Sequence, residues 1–189
     1  DLLSTSAHKL NGPKLLGFLY ERDGINLPSF LLGGDQELKR RAGTENVPAI
    51  AGFAKAVELH SNKALLANEE RYLSFKHALV NGLKNNGIDI EVNGNIEDHM
   101  APQVINIWFK GIRSDVLLTN LDLAGIIGAA GSACTAGSLD PSHVLIAMYG
   151  KKSPRVWESL RFSFSIENTI DEVNTVVETL TKIIKRLKK

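Results

Sequence analysis

Cysteine is nearly absent from this sequence, with one in 189 residues. The chain therefore cannot form an internal disulfide, a usage typical of the reducing cytoplasm. Excess charge is also missing, since 22 basic residues balance 21 acidic ones and the net charge is +1. This balance gives no bulk electrostatic attraction to nucleic acid or to a membrane surface. No apolar run approaches the roughly 18 residues of a membrane span, so we expect a cytoplasmic protein without direct nucleic-acid or membrane binding.

Metal ligands are equally sparse. The five histidines are scattered and one thiol is available, so no cluster has the spacing of a metal site. We therefore expect no bound metal. The composition is otherwise that of an ordinary globular chain, 43% hydrophobic and 23% charged, which suits one domain or part of a larger protein.

The longest periodic segment is helical and runs from Val47 to about Asn86. An unbroken helix of roughly 40 residues would be about 60 Å long. We therefore expect a break near Ser61 to Ala64.

Shorter elements lie on both sides of this helical region. The polar segment 27–46 predicts a long loop, and loops of this length are usually functional. Thr169 stands three residues before Glu172, which predicts a capping box at the start of the last helix. Apolar patterns predict a buried strand at 15–22, further strands at 88–92, 103–109, 125–130 and 159–165, and a helix at 114–122.

The order of these elements predicts an α/β fold in two parts. Residues 1–60 would be the end of one domain, and residues 61–189 a smaller domain that is complete in this chain. The boundary would fall within the long helical region.

The segment SAHKLNGPK, from Ser6 to Lys14, places a hydroxyl, an imidazole and an amine side by side. A lysine becomes a nucleophile or base when desolvation or nearby cations lower its pKa. On an extended segment Ser6 and His8 share one side and Lys9 lies on the other. This arrangement suits an anion held by the hydroxyl and imidazole while the amine reaches across. A surface turn of ordinary polar residues is the alternative.

The segment RRAGTEN, from Arg40 to Asn46, directly precedes a predicted helix. Thr44 can cap that helix, and its hydroxyl together with free amides around Gly43 would make an anion cradle. The alternative is an N-cap with no ligand.

The only cysteine, Cys134, lies in the small-residue segment AAGSACTAGSLDPS. A buried inert cysteine would normally have larger apolar neighbours. We therefore expect an accessible thiol on a mobile loop, although a thiolate would also need a nearby cation or general base.

Arg161 lies between two apolar residues in the predicted strand SLRFSFS. Its guanidinium would either face solvent or serve as a fixed fork for a carboxylate.

Together, these four segments resemble the group I cysteine desulfurases of the class V aminotransferase family, the NifS/IscS type. The similarity covers the whole chain as the C-terminal half of such an enzyme. SAHKLNGPK resembles the family's pyridoxal phosphate (PLP) lysine motif, RRAGTEN its phosphate-binding loop, GSACTAGSLDPSHVL its mobile cysteine loop and LRFSFS its substrate-arginine strand. The resemblance implies a fold type I PLP-dependent transferase: the end of the large PLP-binding domain followed by the small C-terminal domain.

The resemblance also implies a role for each candidate residue. Lys9 would form the Schiff base with PLP, while Ser6 and His8 would bind its phosphate. Thr44 would reach the phosphate of the neighbouring subunit in a homodimer. Arg161 would hold the carboxylate of the substrate L-cysteine, and Cys134 would take the sulfur.

The expected reaction gives L-alanine and a persulfide on Cys134. The sulfur would pass to an acceptor protein, such as an iron-sulfur scaffold or a tRNA-thiolation enzyme. Two alternatives stay open: a catalytically silent fragment that serves as a dimerisation or partner-binding module, and a related PLP lyase such as a selenocysteine lyase.

Two positions depart from the family pattern. Leu15 follows the Gly-Pro-Lys sequence where the family usually has glycine, and Asp35 stands where a third glycine is common. Either residue could alter how its loop approaches the cofactor.

Overall fold

A computed structural model describes residues 1–60, 62–97, 99, 101–131 and 141–188. The chain forms two compact units, Asp1–Leu66 and Ala67–Lys189. The strands are β1 (Leu2–Ser6), β2 (Gly17–Glu21), β3 (Ile90–Val92), β4 (Val104–Phe109) and β5 (Ser159–Ser163). The α-helices are α1 (Val47–Leu59), α2 (Asn62–Asn85), α3 (Ser114–Leu123), α4 (His143–Tyr149) and α5 (Ile170–Leu187), with short 3-10 helices at Ala7–Leu10, Gln36–Lys39 and Pro154–Val156.

The first unit is built on an antiparallel hairpin of β1 and β2, in which Ser6 pairs with Gly17. The helix α1 packs on this hairpin through Phe53, whose ring stacks on Phe18 with the centroids 5.8 Å apart. Phe53 is buried.

The prediction of a buried strand at 15–22 is half right. A strand forms over Gly17–Glu21, but Phe18, Leu19 and Tyr20 are each about half exposed. In the described residues of this unit the sheet has only two strands, so each strand pairs along one edge alone. The apolar pattern therefore indicates more burial than this hairpin supplies.

The second unit is built on an antiparallel sheet in the order β3-β4-β5. Since successive strand residues face opposite sides, one side of the sheet is apolar and the other is polar. Helices α2, α3 and α5 contribute to a common core with the apolar side, which includes Ile105, Ile107, Phe109, Leu160, Phe162, Leu79, Leu117 and Leu180. The polar side carries Glu91, Asn106, Trp108, Ser159 and Arg161.

The last helix begins as its sequence predicts. Thr169 accepts a hydrogen bond from the backbone N–H of Glu172, whose carboxylate accepts one from the N–H of Thr169. This capping box satisfies two N–H groups at the helix start. The prediction is confirmed.

The predicted helices and strands are found with one exception, the strand at 125–130. The helical region breaks between α1 and α2 as expected. Residues 125–130 do not form a named strand, because only Ala129 makes a β-bridge, with Arg161. Small residues such as Gly128 and Ala129 have weak strand propensity, so the apolar run leads to no ladder there. Within the described ranges, no helix is both long and apolar enough to span a bilayer.

Candidate active site

Lys9 lies in the 3-10 turn Ala7–Leu10, directly after β1. The backbone of Ala7 anchors this turn: its N–H donates to Leu16 at 2.9 Å, and its carbonyl accepts from Gly12 at 2.9 Å. Ala7 is fully buried, whereas His8 and Lys9 are exposed. A fixed backbone therefore presents both side chains on the open side of the turn.

The expected extended geometry of this segment is wrong. Only Ser6 belongs to the strand, and His8 and Lys9 belong to the 3-10 turn. Asn11 ends this turn in the left-handed conformation at φ 60°, which asparagine tolerates better than most residues. Alternation of sides along a strand therefore does not apply to Ser6, His8 and Lys9.

Close packing behind the turn keeps it in place. A Cβ added to Gly12 would come within 2.9 Å of the Ala7 carbonyl oxygen. A Cβ added to Gly52 of α1 would come within 2.9 Å of Pro13. The helix α1 thus supports the loop that follows Lys9, and glycine is the residue that allows both approaches.

Thr44 does not cap α1. Asn46 is the N-cap, and its side chain accepts a hydrogen bond from the N–H of Ala49 at 3.2 Å. With Pro48 in the first turn, the helix begins at Val47, two residues later than a Thr44 cap requires. The Gly43 N–H is also engaged, since it donates to Gln36 Oε1 at 3.1 Å. Thr44 itself is exposed, so its hydroxyl is available to a ligand or to another subunit.

Arg161 lies at the centre of β5, where its Cα pairs with Asn106 of β4 on one side. On its other side its backbone makes two hydrogen bonds with Ala129. Its Nε is buried and has no hydrogen-bond partner among the described residues. A buried donor without a partner is unfavourable by about 1–3 kcal/mol, and an arriving carboxylate would relieve this deficit.

The candidate residues are divided between the two units. Ser6, His8, Lys9 and Thr44 belong to the first unit, and Arg161 belongs to the second. Cys134 lies outside the described residues. Among the candidate residues that the structure describes, Ser6, His8 and Lys9 lie together around one turn.

A polar network that was not predicted from the sequence lies beside Arg161. Arg155 donates to Asn93 Oδ1 at 2.8 Å and pairs with Glu91. Its guanidinium also lies over two rings, 4.3 Å from the Trp108 centroid and 4.7 Å from that of Tyr149. These common residue types are far apart in the chain. The available signal was the alternation of Asn106 and Trp108 with apolar residues in VINIWF.

Comparisons with known proteins identify the family of this chain. The model of the family described as "Aminotransferase class-V" matches residues 1–176. The chain belongs to the class V aminotransferases. This finding confirms the family that the four segments predicted, and enzymes of this family depend on PLP.

Relatives of this class V aminotransferase include proteins named cysteine desulfurases. The chain is 49% identical over 187 residues to the "Putative cysteine desulfurase IscS 1" of Bacillus subtilis strain 168, covering 99% of this chain and 49% of the relative. It is 41% identical over 191 residues to a cysteine desulfurase of Nostoc sp. strain PCC 7120, covering 100% and 46%. The chain thus spans about half the length of the curated relatives that it matches.

Solved structures confirm the α/β fold. A structure titled "NIFS-LIKE PROTEIN" matches with a TM-score of 0.83 at 30% identity, covering 98% of this chain and 46% of that one. A NifS-like protein from Rickettsia africae ESF-5 matches with a TM-score of 0.78 at 26% identity, covering 98% and 48%.

The side chains of the Lys9 turn fit the cofactor of the family. An exposed amine can bond to an aldehyde, and a hydroxyl and an imidazole within three residues of it can donate to a phosphate dianion. Among the described residues, no group of three or more His, Cys, Asp or Glu side chains could hold a metal ion.

Proposed function

We propose that this chain is the C-terminal half of a PLP-dependent cysteine desulfurase. The observation that carries the proposal is the Lys9 turn, an exposed amine flanked by a hydroxyl and an imidazole on a fixed backbone. It occurs in a chain that is similar from end to end to proteins named cysteine desulfurases. Residues 1–60 would complete the large domain, and residues 61–189 would be the small domain.

The first unit would hold the cofactor. Lys9 would bond to its aldehyde, and Ser6 and His8 would bind its phosphate. Because Thr44 is exposed and does not cap its own helix, we assign it to the phosphate of the other subunit in a homodimer.

The remaining candidates would act on L-cysteine. Bound PLP would supply an electron sink for the substrate. Arg161 would hold the substrate carboxylate, and the amine of Lys9 would take the α-proton. The Cys134 thiolate would attack the substrate sulfur, so that a new S–S bond forms as the Cβ–S bond breaks. Protonation of the released carbon gives L-alanine, and Cys134 keeps the sulfur as a persulfide.

The persulfide needs an acceptor. The small residues that surround Cys134 in the sequence suit a transfer role, because the sulfur must travel from the cofactor to a second protein. We propose an iron-sulfur scaffold or a tRNA-thiolation enzyme as that protein. The single cysteine supports a reducing cytoplasm as the place of the reaction.

The first test is borohydride reduction with PLP, followed by peptide mass mapping. It is run on the chain alone and on a fusion that supplies the half of the Bacillus subtilis relative that this chain does not cover. We expect a selective adduct on Lys9, lost in Lys9→Ala and kept in the matched control Lys14→Ala. Labelling spread evenly over the lysines of both proteins would contradict the proposal.

The second test measures desulfuration by the fusion. Cys134→Ser should abolish persulfide formation and alanine release, because serine has no sulfur atom with which to form the S–S bond. Full activity of Cys134→Ser with L-cysteine would contradict the role of this residue.

A second candidate function is favoured by the exposed apolar side chains of the hairpin. Leu2, Leu3 and Leu19 are each at least half exposed, and apolar patches of this kind mark interaction surfaces. The chain would then be a partner-binding module without catalysis. Selective labelling of Lys9 in the chain alone would count against this alternative.

A further inference from the structure

The polar side of the sheet in the second unit carries a continuous chain of side-chain hydrogen bonds. It begins at Arg155, continues to Asn93 at 2.8 Å and reaches Asn106 at 2.7 Å. Asn93 also donates to Ser159 at 2.8 Å, and Ser159 donates to the Arg155 carbonyl at 2.6 Å. The backbone N–H of Asn93 donates to the Asn106 carbonyl at 2.9 Å, which fixes the loop beside the strand.

Arg155 determines which way Asn93 points. The oxygen and nitrogen of an asparagine amide are hard to tell apart by shape, and hydrogen-bond partners decide the assignment. A guanidinium can only donate, so the atom of Asn93 that faces Arg155 must be Oδ1. Glu91 and the rings of Trp108 and Tyr149 hold Arg155 in that position.

Asn93 in turn determines which way Asn106 points. Because its Oδ1 is engaged by Arg155, Asn93 presents Nδ2 to its neighbour, and Asn106 must accept with Oδ1. This leaves Nδ2 of Asn106 as the group with which it can meet a ligand. An arginine two hydrogen bonds away has thus made Asn106 a donor.

Asn106 is the direct cross-strand neighbour of Arg161 on the same side of the sheet. Side chains in such pairs have Cβ atoms about 4.5–5.5 Å apart. Arg161 contributes a buried Nε without a described partner, and Asn106 contributes an amide donor. Two adjacent donors do not satisfy each other, but a carboxylate with its two oxygens satisfies both.

We propose that Asn106 is a second ligand of the substrate carboxylate beside Arg161, with Asn93 and Arg155 as positioning residues. This inference rests on the proposed function, in which Arg161 receives the carboxylate of an α-amino acid. The ligand class is an α-amino carboxylate, which needs donors along two directions of its plane. A neutral amide adds directionality without a second positive charge.

The test compares variants of the PLP-loaded fusion protein described above. Asn106→Ala removes the donor. Asn93→Asp leaves Asn106 untouched but can no longer donate to it, so the Asn106 amide turns its oxygen toward the site. Asn86→Ala removes an exposed amide at the end of α2 and is the matched control. For each we measure kcat and KM for L-cysteine, the melting temperature, and the dissociation constants of L-alanine and of ethylamine, which is L-alanine without its carboxylate.

We expect Asn106→Ala and Asn93→Asp to raise KM and the dissociation constant of L-alanine by about 10- to 100-fold, the range for a hydrogen bond to a charged group. The constant for ethylamine should stay within about 2-fold, since no carboxylate is present to lose the bond. If these residues acted in folding alone, the variants would have a lower melting temperature, and the dissociation constants of the two ligands would change equally. That result in both variants would overturn the inference.

Arg161→Gln separates this inference from the proposed function. If Arg161→Gln weakens the binding of L-alanine more than that of ethylamine, and Asn106→Ala does not, then the carboxylate site stands and the role of Asn106 is wrong. If Arg161→Gln leaves the ratio of the two constants unchanged, the carboxylate site itself is wrong, and the inference falls with it.

Discussion

Gly82 on α2 lies directly against Val177 on α5. A Cβ built on Gly82 would come within 2.8 Å of Val177 Cγ1 and 2.9 Å of its Cγ2. Both helices contribute to the core of the second unit, and Val177 is buried. Glycine is therefore needed at this position for close approach of the helices rather than for its backbone freedom.

We expect Gly82→Ala to destabilise the second unit by about 1–3 kcal/mol, as overpacking does. Alanine gains about 1 kcal/mol in helix propensity, but a buried β-branched side chain has little room to move. The double variant Gly82→Ala/Val177→Ala should regain part of the loss, which urea unfolding can measure. A single variant more stable than wild type would show that the helices separate easily.

Replacing Leu15 with glycine should stabilise the first unit. It adopts φ 64° and is fully exposed, so its side chain strains the backbone and packs against nothing that offsets the strain. The left-handed conformation costs a non-glycine residue about 1–2 kcal/mol. We expect Leu15→Gly to raise the free energy of unfolding of the first unit by about 1 kcal/mol, less the entropy that glycine gains in the unfolded chain.

The control for this prediction is Leu38→Gly, another exposed leucine at positive φ, 56°. It lies in the Gln36–Lys39 turn, a different turn from that of the lysine segment. Both variants should gain stability if backbone strain is the cause. A gain at Leu15 alone would indicate a property of that turn instead.

The sequence predicts regular elements better than it predicts turns. Val47–Leu59 and Ile170–Leu187 follow from periodicity and caps, which depend on neighbouring residues. The start of α1 at Val47 was predicted, but its cap was assigned to Thr44 instead of Asn46, because both are good caps and the position of Pro48 decided between them. Local patterns alone do not include such competition.

The candidate site shows the same limit. Lys9 and Arg161 are recognisable because each lies in a motif of consecutive residues. Asn93, Asn106 and Arg155 come together only in the folded sheet, 13 and 62 residues apart in sequence. No short window contains all three, so their arrangement could be found only in the structure.

Stability of the second unit should depend on pH through Glu91 and Lys110. The hydrogen bond with Lys110 is the main cause that lowers the pKa of Glu91, and Arg155 adds to it. The hydrogen bond with Glu91 is the main cause that raises the pKa of Lys110, followed by that with Asp89. A lowered carboxyl pKa stabilises the fold above the usual value of 4.5, and this contribution is lost as pH falls through the folded pKa.

For Lys110 the sign is reversed. Its raised pKa stabilises the fold fully below the usual value of 10.5, and the contribution is lost as pH rises through the folded pKa. Glu91→Gln should therefore flatten both limbs of the plot of melting temperature against pH, and salt should reduce the difference because these groups are partly exposed. Glu178→Gln, near Lys182 at 3.9 Å, is the control, and an equal effect there would indicate a general charge effect.

Gly12→Ala should disturb the lysine turn without touching Lys9. The new methyl would meet the Ala7 carbonyl oxygen at 2.9 Å and the Ala7 Cβ at 3.1 Å. Both contacts press on the residue that anchors the turn, so the backbone must shift. We expect borohydride labelling of Lys9 by PLP to fall several-fold under conditions that label the wild type selectively.

The matched change for this last prediction is Gly128→Ala in the second unit, where the new methyl would meet only side-chain atoms, the nearest at 3.4 Å. Its Lys9 labelling should equal that of the wild type. If Gly12→Ala also labels at the wild-type rate, then the turn tolerates the shift and its backbone does not set the reactivity of Lys9. A fall confined to Gly12→Ala would tie the reactivity of the amine to the geometry of Ala7–Leu10.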